Sequence, residues 1–154
     1  MAFKIFISYS GSDHEQAVVW RLQTLAVAQG IEVYVPKRVG QPLRSTERLA
    51  INDADIVLAI VTSRTDRAVE TELEYALERR KVIVPIVYEG IQLPPLFQKF
   101  RIFRFSPFTP PGILETQIVQ YLQEQKLSKE RLQAAAAVIA VGLGLLLLSS
   151  LAKD

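Results

Sequence analysis

The chain has 154 residues, with 18 lysines and arginines, 16 aspartates and glutamates, one histidine and no cysteine. The lack of cysteine excludes disulfides, thiolate catalysis and cysteine-based metal sites, and a lone histidine argues against a histidine metal site or a Ser-His triad. The formal charge of +2 is too small to indicate nucleic-acid binding.

Strand and helix patterns alternate along the first 125 residues. Residues 3–8 are typical of a buried strand, and Ser12 with Glu15 forms a capping-box pattern that begins a helix. That helix ends at Gly30, and its single tryptophan, Trp20, is expected in the core. The patterns predict further strands at 31–35, 55–61, 82–87 and 101–105, and further helices at 43–52, 66–80 and 110–125.

Apolar strands that alternate with helices predict crossover connections, and therefore a parallel sheet with helices on both faces. We expect an α/β protein with a flavodoxin-like sheet of five parallel strands. Pro85 interrupts the fourth strand and is expected at an edge, a bulge or a strand end, because proline donates no ladder hydrogen bond. Ligands of such folds bind at the carboxyl ends of the strands, so the loops there are the predicted site.

The C-terminal region has a different composition. Residues 134–152 carry no charge, which predicts one transmembrane helix over residues 132–152, although a buried core helix is the alternative. Residues 127–131 then form a basic juxtamembrane linker, and residues 1–126 form the folded domain. Because positive charge lies mainly before the span, we expect a single-pass membrane protein whose N-terminal domain is cytoplasmic.

Four segments together resemble the Toll/interleukin-1 receptor (TIR) domain family, over roughly residues 3–125. They are KIFISYSGSD at 4–13, GIEVYV at 30–35, ADIVLAIVTS at 54–63 and ELEYALERRKVIVPI at 72–86. The resemblance implies a bacterial-type domain that either associates with other TIR domains as an adaptor or cleaves nicotinamide from NAD. NAD is then a substrate, and no cofactor or metal is implied.

The enzymatic form of the family uses a glutamate in a W-x-x-x-E pattern, which an apolar residue and then an alanine follow. Glu72, Leu73 and Ala76 match the latter part, whereas Ala68 stands at the tryptophan position. The resemblance therefore implies Glu72 as the catalytic residue. A helical wheel places Glu72 beside the apolar stripe of its helix, and Glu70, Glu74 and Glu78 on the opposite flank. A solvated surface glutamate remains the alternative.

Two loops supply the predicted substrate-binding residues. Ser8, Ser10 and Gly11 lie in the turn after the first strand and can offer hydroxyl and N–H groups to ribose or phosphate. Lys37, Arg38 and Arg44 lie in the loop after the second strand, which corresponds to the BB loop of the family, and can meet a pyrophosphate or an acidic partner surface. An ordinary charged surface loop is the alternative.

The sequence thus predicts a membrane-tethered TIR-domain signalling or effector protein, an NAD glycohydrolase that acts when its domains cluster. The setting we expect is innate immunity of the antiphage kind, with self-association through TIR domains and no nucleic-acid partner. Two alternatives remain, a non-catalytic adaptor and an enzyme like the nucleoside deoxyribosyltransferases, which attack an N-glycosidic bond with a glutamate.

Overall fold

The computed structural model describes residues 2–37, 43–62 and 67–152, and for residues 135–152 it describes the backbone alone. Its centre is a sheet of five strands in the order β2-β1-β3-β4-β5. All neighbouring strands are parallel. The predicted flavodoxin-like sheet is therefore confirmed. Its strands are β1 (Phe3–Ser8), β2 (Ile31–Tyr34), β3 (Ile56–Val61), β4 (Val82–Tyr88) and β5 (Phe103–Phe105).

Helices connect the strands as the sequence predicts. They are α1 (Asp13–Ala28), α2 (Ser45–Asp53), α3 (Arg67–Glu78) and α4 (Ile113–Ala152), with a 3₁₀ helix at Pro95–Lys99. Helix α1 begins after Ser12, whose side chain accepts a hydrogen bond from the Glu15 N–H. It ends before Gly30, which has a φ of 74° that glycine adopts without strain.

The sheet is buried on both of its faces. One face forms a core cluster in which Phe6 and Ala59 of the sheet meet Ile51 of α2, Ala76 of α3 and Phe97 of the 3₁₀ helix. The residues that alternate with these along the strands, such as Ile5, Ile7 and Leu58, are buried as well. Helices α2 and α3 therefore pack on the same face of the sheet, so a buried side chain of either helix lies against that face.

Two side chains differ from the sequence prediction. Trp20 is 68% exposed on α1, because Val18, Val19 and Leu22 supply the buried face of that helix instead. Pro85 lies inside β4, an interior strand, where it stands opposite Ala59 of β3. The ladder between β4 and β5 begins only at Ile86, so the short strand β5 has no residue paired with the proline.

The C-terminal helix α4 is continuous from Ile113 to Ala152. It includes the predicted linker at 127–131 and the predicted span at 132–152, but the side chains of residues 135–152 lie outside the described residues. Within the part of the chain that is described, no helix combines the length and apolar character needed to cross a bilayer. Contacts divide the chain into two compact units, Met1–Val119 and Gln120–Asp154. The membrane span stays a prediction from the sequence.

Candidate functional site

A serine and a glutamate from distant parts of the sequence meet inside the domain. Ser8 is the last residue of β1 and lies two positions after Phe6, so both side chains point to the face that α2 and α3 cover. Glu72 lies one helical turn before Ala76 on the buried side of α3. Since Phe6 and Ala76 belong to the same core cluster, the strand and the helix bring Ser8 and Glu72 together.

The contact is a short hydrogen bond. Ser8 Oγ donates to Glu72 Oε1 over 2.7 Å, and neither residue is exposed to solvent. A carboxylate away from water costs free energy that only hydrogen bonds or opposite charges offset. The fold therefore holds a carboxyl group in a defined position at the carboxyl end of β1, the end where parallel α/β sheets bind ligands.

A second buried glutamate, Glu15, lies at the same end of the sheet. It is 1% exposed, and its Oε1 accepts the Ser10 backbone N–H over 2.8 Å. Three hydroxyl groups donate to its other oxygen, those of Ser10, Ser12 and Thr62. Glu15 thus joins the turn after β1 to the end of β3. The Ser12 N–H donates to Ser10 Oγ over 3.5 Å, whereas the other bond of the predicted capping box, from the Glu15 N–H to Ser12 Oγ, is present.

The turn after β1 depends on a glycine. Gly11 has a φ of 92°, a conformation that other residues adopt only with strain. Its carbonyl oxygen accepts a 2.8 Å hydrogen bond from the Gln16 side chain. Both the N–H and the hydroxyl of Ser10 are engaged by Glu15. A phosphate at this turn would have to displace a carboxylate.

A cavity of about 600 Å³ opens beside Glu15. The end of β3 and Ser10 in the turn after β1 line it, and α3 contributes Val69, Leu73 and Leu77. The segment from Ile91 to Pro94 and the ring of Phe97 line the opposite side. Glu15 is among the lining residues, as are Glu70 and Glu74, whereas Glu72 lies on another side of α3 and does not reach the cavity.

The loop after β2 contains an ion pair near the start of α2. Arg44 Nε and Nη2 donate to Glu47 Oε1 over 3.0 and 2.8 Å, and Nη2 also lies 3.4 Å from the Lys37 carbonyl oxygen. Burial raises the pKa of Glu47, but hydrogen bonds from Thr46 and Arg44 outweigh it and bring the pKa below its ordinary value of 4.5. Arg44 is therefore held by an ion pair within the protein, although its side chain is 42% exposed.

Comparison with known families identifies the domain. The model of the TIR domain matches residues 5–113, which is most of the chain. The chain belongs to the TIR domain family.

Solved structures agree with this TIR fold. The TIR domain heterodimer of RPS4 and RRS1 is 18% identical, with a TM-score of 0.60 over 80% of this chain and 97% of that one. The CMP N-glycosidase BcmB of Clostridium botulinum is 18% identical, with a TM-score of 0.53 over 80% and 98%. A flavodoxin-like domain from Synechococcus is 16% identical, with a TM-score of 0.59 over 82% and 99%. No curated protein has significant sequence similarity to the chain.

Some of the predicted site residues lie close together at the end of β1, and the others lie elsewhere or outside the described residues. Ser8 contacts Glu72, and Ser10 and Gly11 lie in the next turn beside Glu15. Lys37 is exposed, and Arg38 lies outside the described residues.

Two buried carboxylates, Glu15 and Glu47, did not appear among the predicted site residues. Glu15 follows the end of β1 and three nearby serines, Ser8, Ser10 and Ser12, and this pattern could have identified it as a candidate site residue. The assignments of catalytic and binding roles stay predictions.

Proposed function

We propose that this TIR domain cleaves the bond between nicotinamide and ribose in NAD, with Glu72 as the catalytic carboxylate. The observation that carries the proposal is the buried hydrogen bond between Ser8 and Glu72 at the carboxyl end of β1. It supports a carboxylate whose position is fixed by the core, as electrostatic stabilisation of a transition state requires.

The chemistry needs little more than this carboxylate. Nicotinamide leaves as a neutral molecule from a positively charged ring, so no strong acid is required to protonate it. The ribose becomes an oxocarbenium-like cation in the transition state, which a negative charge beside it stabilises. Glu72 would supply that charge, and Ser8 would act as a positioning residue that sets the direction of the carboxylate. Water then completes hydrolysis, or the adenine end of the substrate completes cyclisation.

The closed state of the site fits activity that depends on clustering. Glu72 is fully buried, so a ribose can reach its carboxylate only if the groups that cover it move apart. Contact with a second TIR domain is one way to stabilise such an opened form, because a partner that binds only that form shifts the population toward it. We therefore expect low activity in dilute protein and higher activity in clusters.

Two structural neighbours support cleavage of an N-glycosidic bond and association between TIR domains. BcmB is named as an N-glycosidase of CMP, and its fold resembles this chain along nearly its whole length. RPS4 and RRS1 form a heterodimer of TIR domains. We infer N-glycosidic cleavage and TIR self-association for this chain, with NAD as the substrate that the family resemblance favours. A role in innate immunity, such as antiphage defence, follows from the same resemblance.

Membrane tethering belongs to the proposal as well. The uncharged segment 134–152 follows Lys126, Lys129 and Arg131, which is the charge pattern of a single span with a cytoplasmic N-terminal domain. A tether at residues 132–152 would confine the domains to two dimensions and raise their local concentration. The support for this part is the sequence alone.

The test compares clustered and dispersed full-length protein. The chain is reconstituted in vesicles at high and low density and is given NAD, CMP or deoxycytidine, and the released base is measured. Release of nicotinamide at high density, reduced by Glu72→Gln, is the expected result. Release from CMP or deoxycytidine alone would favour a glycosidase or deoxyribosyltransferase-like enzyme. If clustered protein releases no base from any substrate, the adaptor function replaces the enzymatic one.

A further inference from the structure

The cavity beside Glu15 is separate from the Ser8–Glu72 pair and has the properties of a ligand site. Its volume of about 600 Å³ lies within the range of pockets that hold small organic molecules. It lies at the carboxyl end of β3 and beside the turn after β1, the usual location of ligands in parallel α/β sheets. All of its described lining residues lie between Ser10 and Phe97.

The apolar side chains that line the cavity favour a ligand with an apolar portion. Leu73 and Leu77 of α3 face Leu93, Pro94 and Phe97 across the opening. Leu73 and Leu77 are only partly buried, so a ligand between these walls would remove further apolar surface from water. Phe97 adds an aromatic side chain to the lining, and aromatic rings pack well against flat molecules and cations.

The charges around the cavity have one sign. Three glutamates, Glu15, Glu70 and Glu74, are among its described lining residues, and none of those residues is a lysine or an arginine. Glu15 is almost completely buried, and its four hydrogen-bond donors in the turn and at Thr62 are all neutral. Glu70 and Glu74 lie one helical turn apart, where like charges repel each other. Negative potential in a cleft with apolar walls attracts cations.

We propose that this cavity binds an organic cation, a molecule with a flat apolar body and one amidinium, ammonium or pyridinium group. The cation lies near the carboxylates, and the apolar body packs between α3 and Phe97. Among the described lining residues, an anion would meet only negatively charged side chains. A metal ion is the weaker candidate, because no three acidic or histidine side chains within the described ranges are placed to hold one. The proposal does not depend on NAD cleavage.

A matched pair of probes tests the charge requirement. Benzamidine and benzamide have nearly the same shape, but only benzamidine is a cation at neutral pH. Each is titrated into full-length protein in detergent without NAD, while the melting temperature and the intrinsic fluorescence are measured. Saturable binding of benzamidine with a rise in melting temperature, and binding of benzamide at least tenfold weaker, are the expected results. Equal affinities, or no saturable binding of benzamidine, would overturn the proposal.

Variants of α3 locate the site. The double substitution Glu70→Gln with Glu74→Gln is expected to weaken benzamidine binding about tenfold, since two solvent-exposed charges at the cavity are removed together. Glu78→Gln is the matched control, because Glu78 continues the same row but does not line the cavity. Leu73→Trp fills the opening and should abolish binding. If the double variant binds as the wild type does, or if Glu78→Gln weakens binding as much, the probe lies elsewhere and the proposal fails.

Discussion

Ser8 Oγ and Glu72 Oε1 are 2.7 Å apart in the interior of the domain, although 64 residues separate them in the sequence. The hydrogen bond connects the last residue of the interior strand β1 to helix α3. It fixes a carboxylate at the end of the sheet where the fold places its ligands, and the proposed chemistry depends on it.

Replacement of Glu72 by glutamine is expected to lower NAD cleavage by clustered protein about a hundredfold, because it removes the charge that opposes the oxocarbenium ion. Release of nicotinamide is the measurement. Glu74→Gln is expected to leave cleavage nearly intact, and Glu78→Gln is the stricter control because Glu74 lines the cavity beside Glu15. Equal turnover by the wild type and the Glu72 variant would show that another group is catalytic.

Loss of the Ser8 hydroxyl leaves Glu72 Oε1 without one buried donor. We expect Ser8→Ala to lower the free energy of unfolding by about 1–3 kcal/mol, and to reduce NAD cleavage less than Glu72→Gln does. Urea unfolding of the full-length chain measures the first effect. Ser8→Thr retains a hydroxyl and should restore most of the stability. A Ser8→Ala protein as stable as the wild type would show that the hydrogen bond contributes little.

The ion pair of Arg44 and Glu47 predicts a dependence of stability on pH. The pKa of Glu47 is lower in the folded state than its ordinary value of 4.5, so its contribution is fully present above pH 4.5. This contribution to the free energy of unfolding is lost as the pH falls through the folded-state pKa. The reason is that the unfolded chain binds the proton more tightly than the folded state does, so protonation favours unfolding. Glu47→Gln should weaken the dependence of the melting temperature on pH in this acidic range. Glu32→Gln, at an exposed position of β2, is the control and should leave that dependence as in the wild type. Parallel slopes for Glu47→Gln and the wild type would contradict the assignment.

The only tryptophan of the chain reports on the surface of α1. Because Trp20 is 68% exposed, we expect red-shifted emission that acrylamide quenches efficiently. Unfolding in urea should change the emission wavelength little. A blue-shifted, protected tryptophan in dispersed protein would contradict the exposed position.

Removal of residues 134–154 tests the predicted anchor. The shortened chain should be recovered in the soluble fraction, whereas the full chain should require detergent. Fractionation with carbonate washing measures the difference. Recovery of the shortened chain only with membranes would contradict the predicted span.

The order of strands and helices could be predicted because each one depends on local signals. Residues 3–8 form β1 as predicted, and Gly30 follows the end of α1. Side-chain burial was harder to predict, since it depends on what packs against each face. Trp20 has helical spacing but lies on the solvent side, because smaller neighbours fill the space beneath α1.

The candidate site could be predicted only in part. Glu72 was placed beside the apolar stripe of α3, but its complete burial and its bond to Ser8 depend on the register of α3 against β1. Glu15 follows a capping pattern, and the sequence gives no sign that its carboxylate reaches Thr62, 47 residues away. Contacts between distant segments determine both positions, and local patterns carry no information on them.

The interior position of β1 in the sheet sets its mobility apart from that of α3. This strand is held by β2 on one side and by β3 on the other, and Ser8 itself pairs with Ala59. Helix α3 has no such ladder and lies at the surface with exposed residues along one side. Amide hydrogen exchange should therefore be slowest in β1 and faster in α3. The two halves of the proposed site therefore differ in protection, because Ser8 lies in a strand with two ladders and Glu72 lies on a helix held to that strand by a side-chain hydrogen bond.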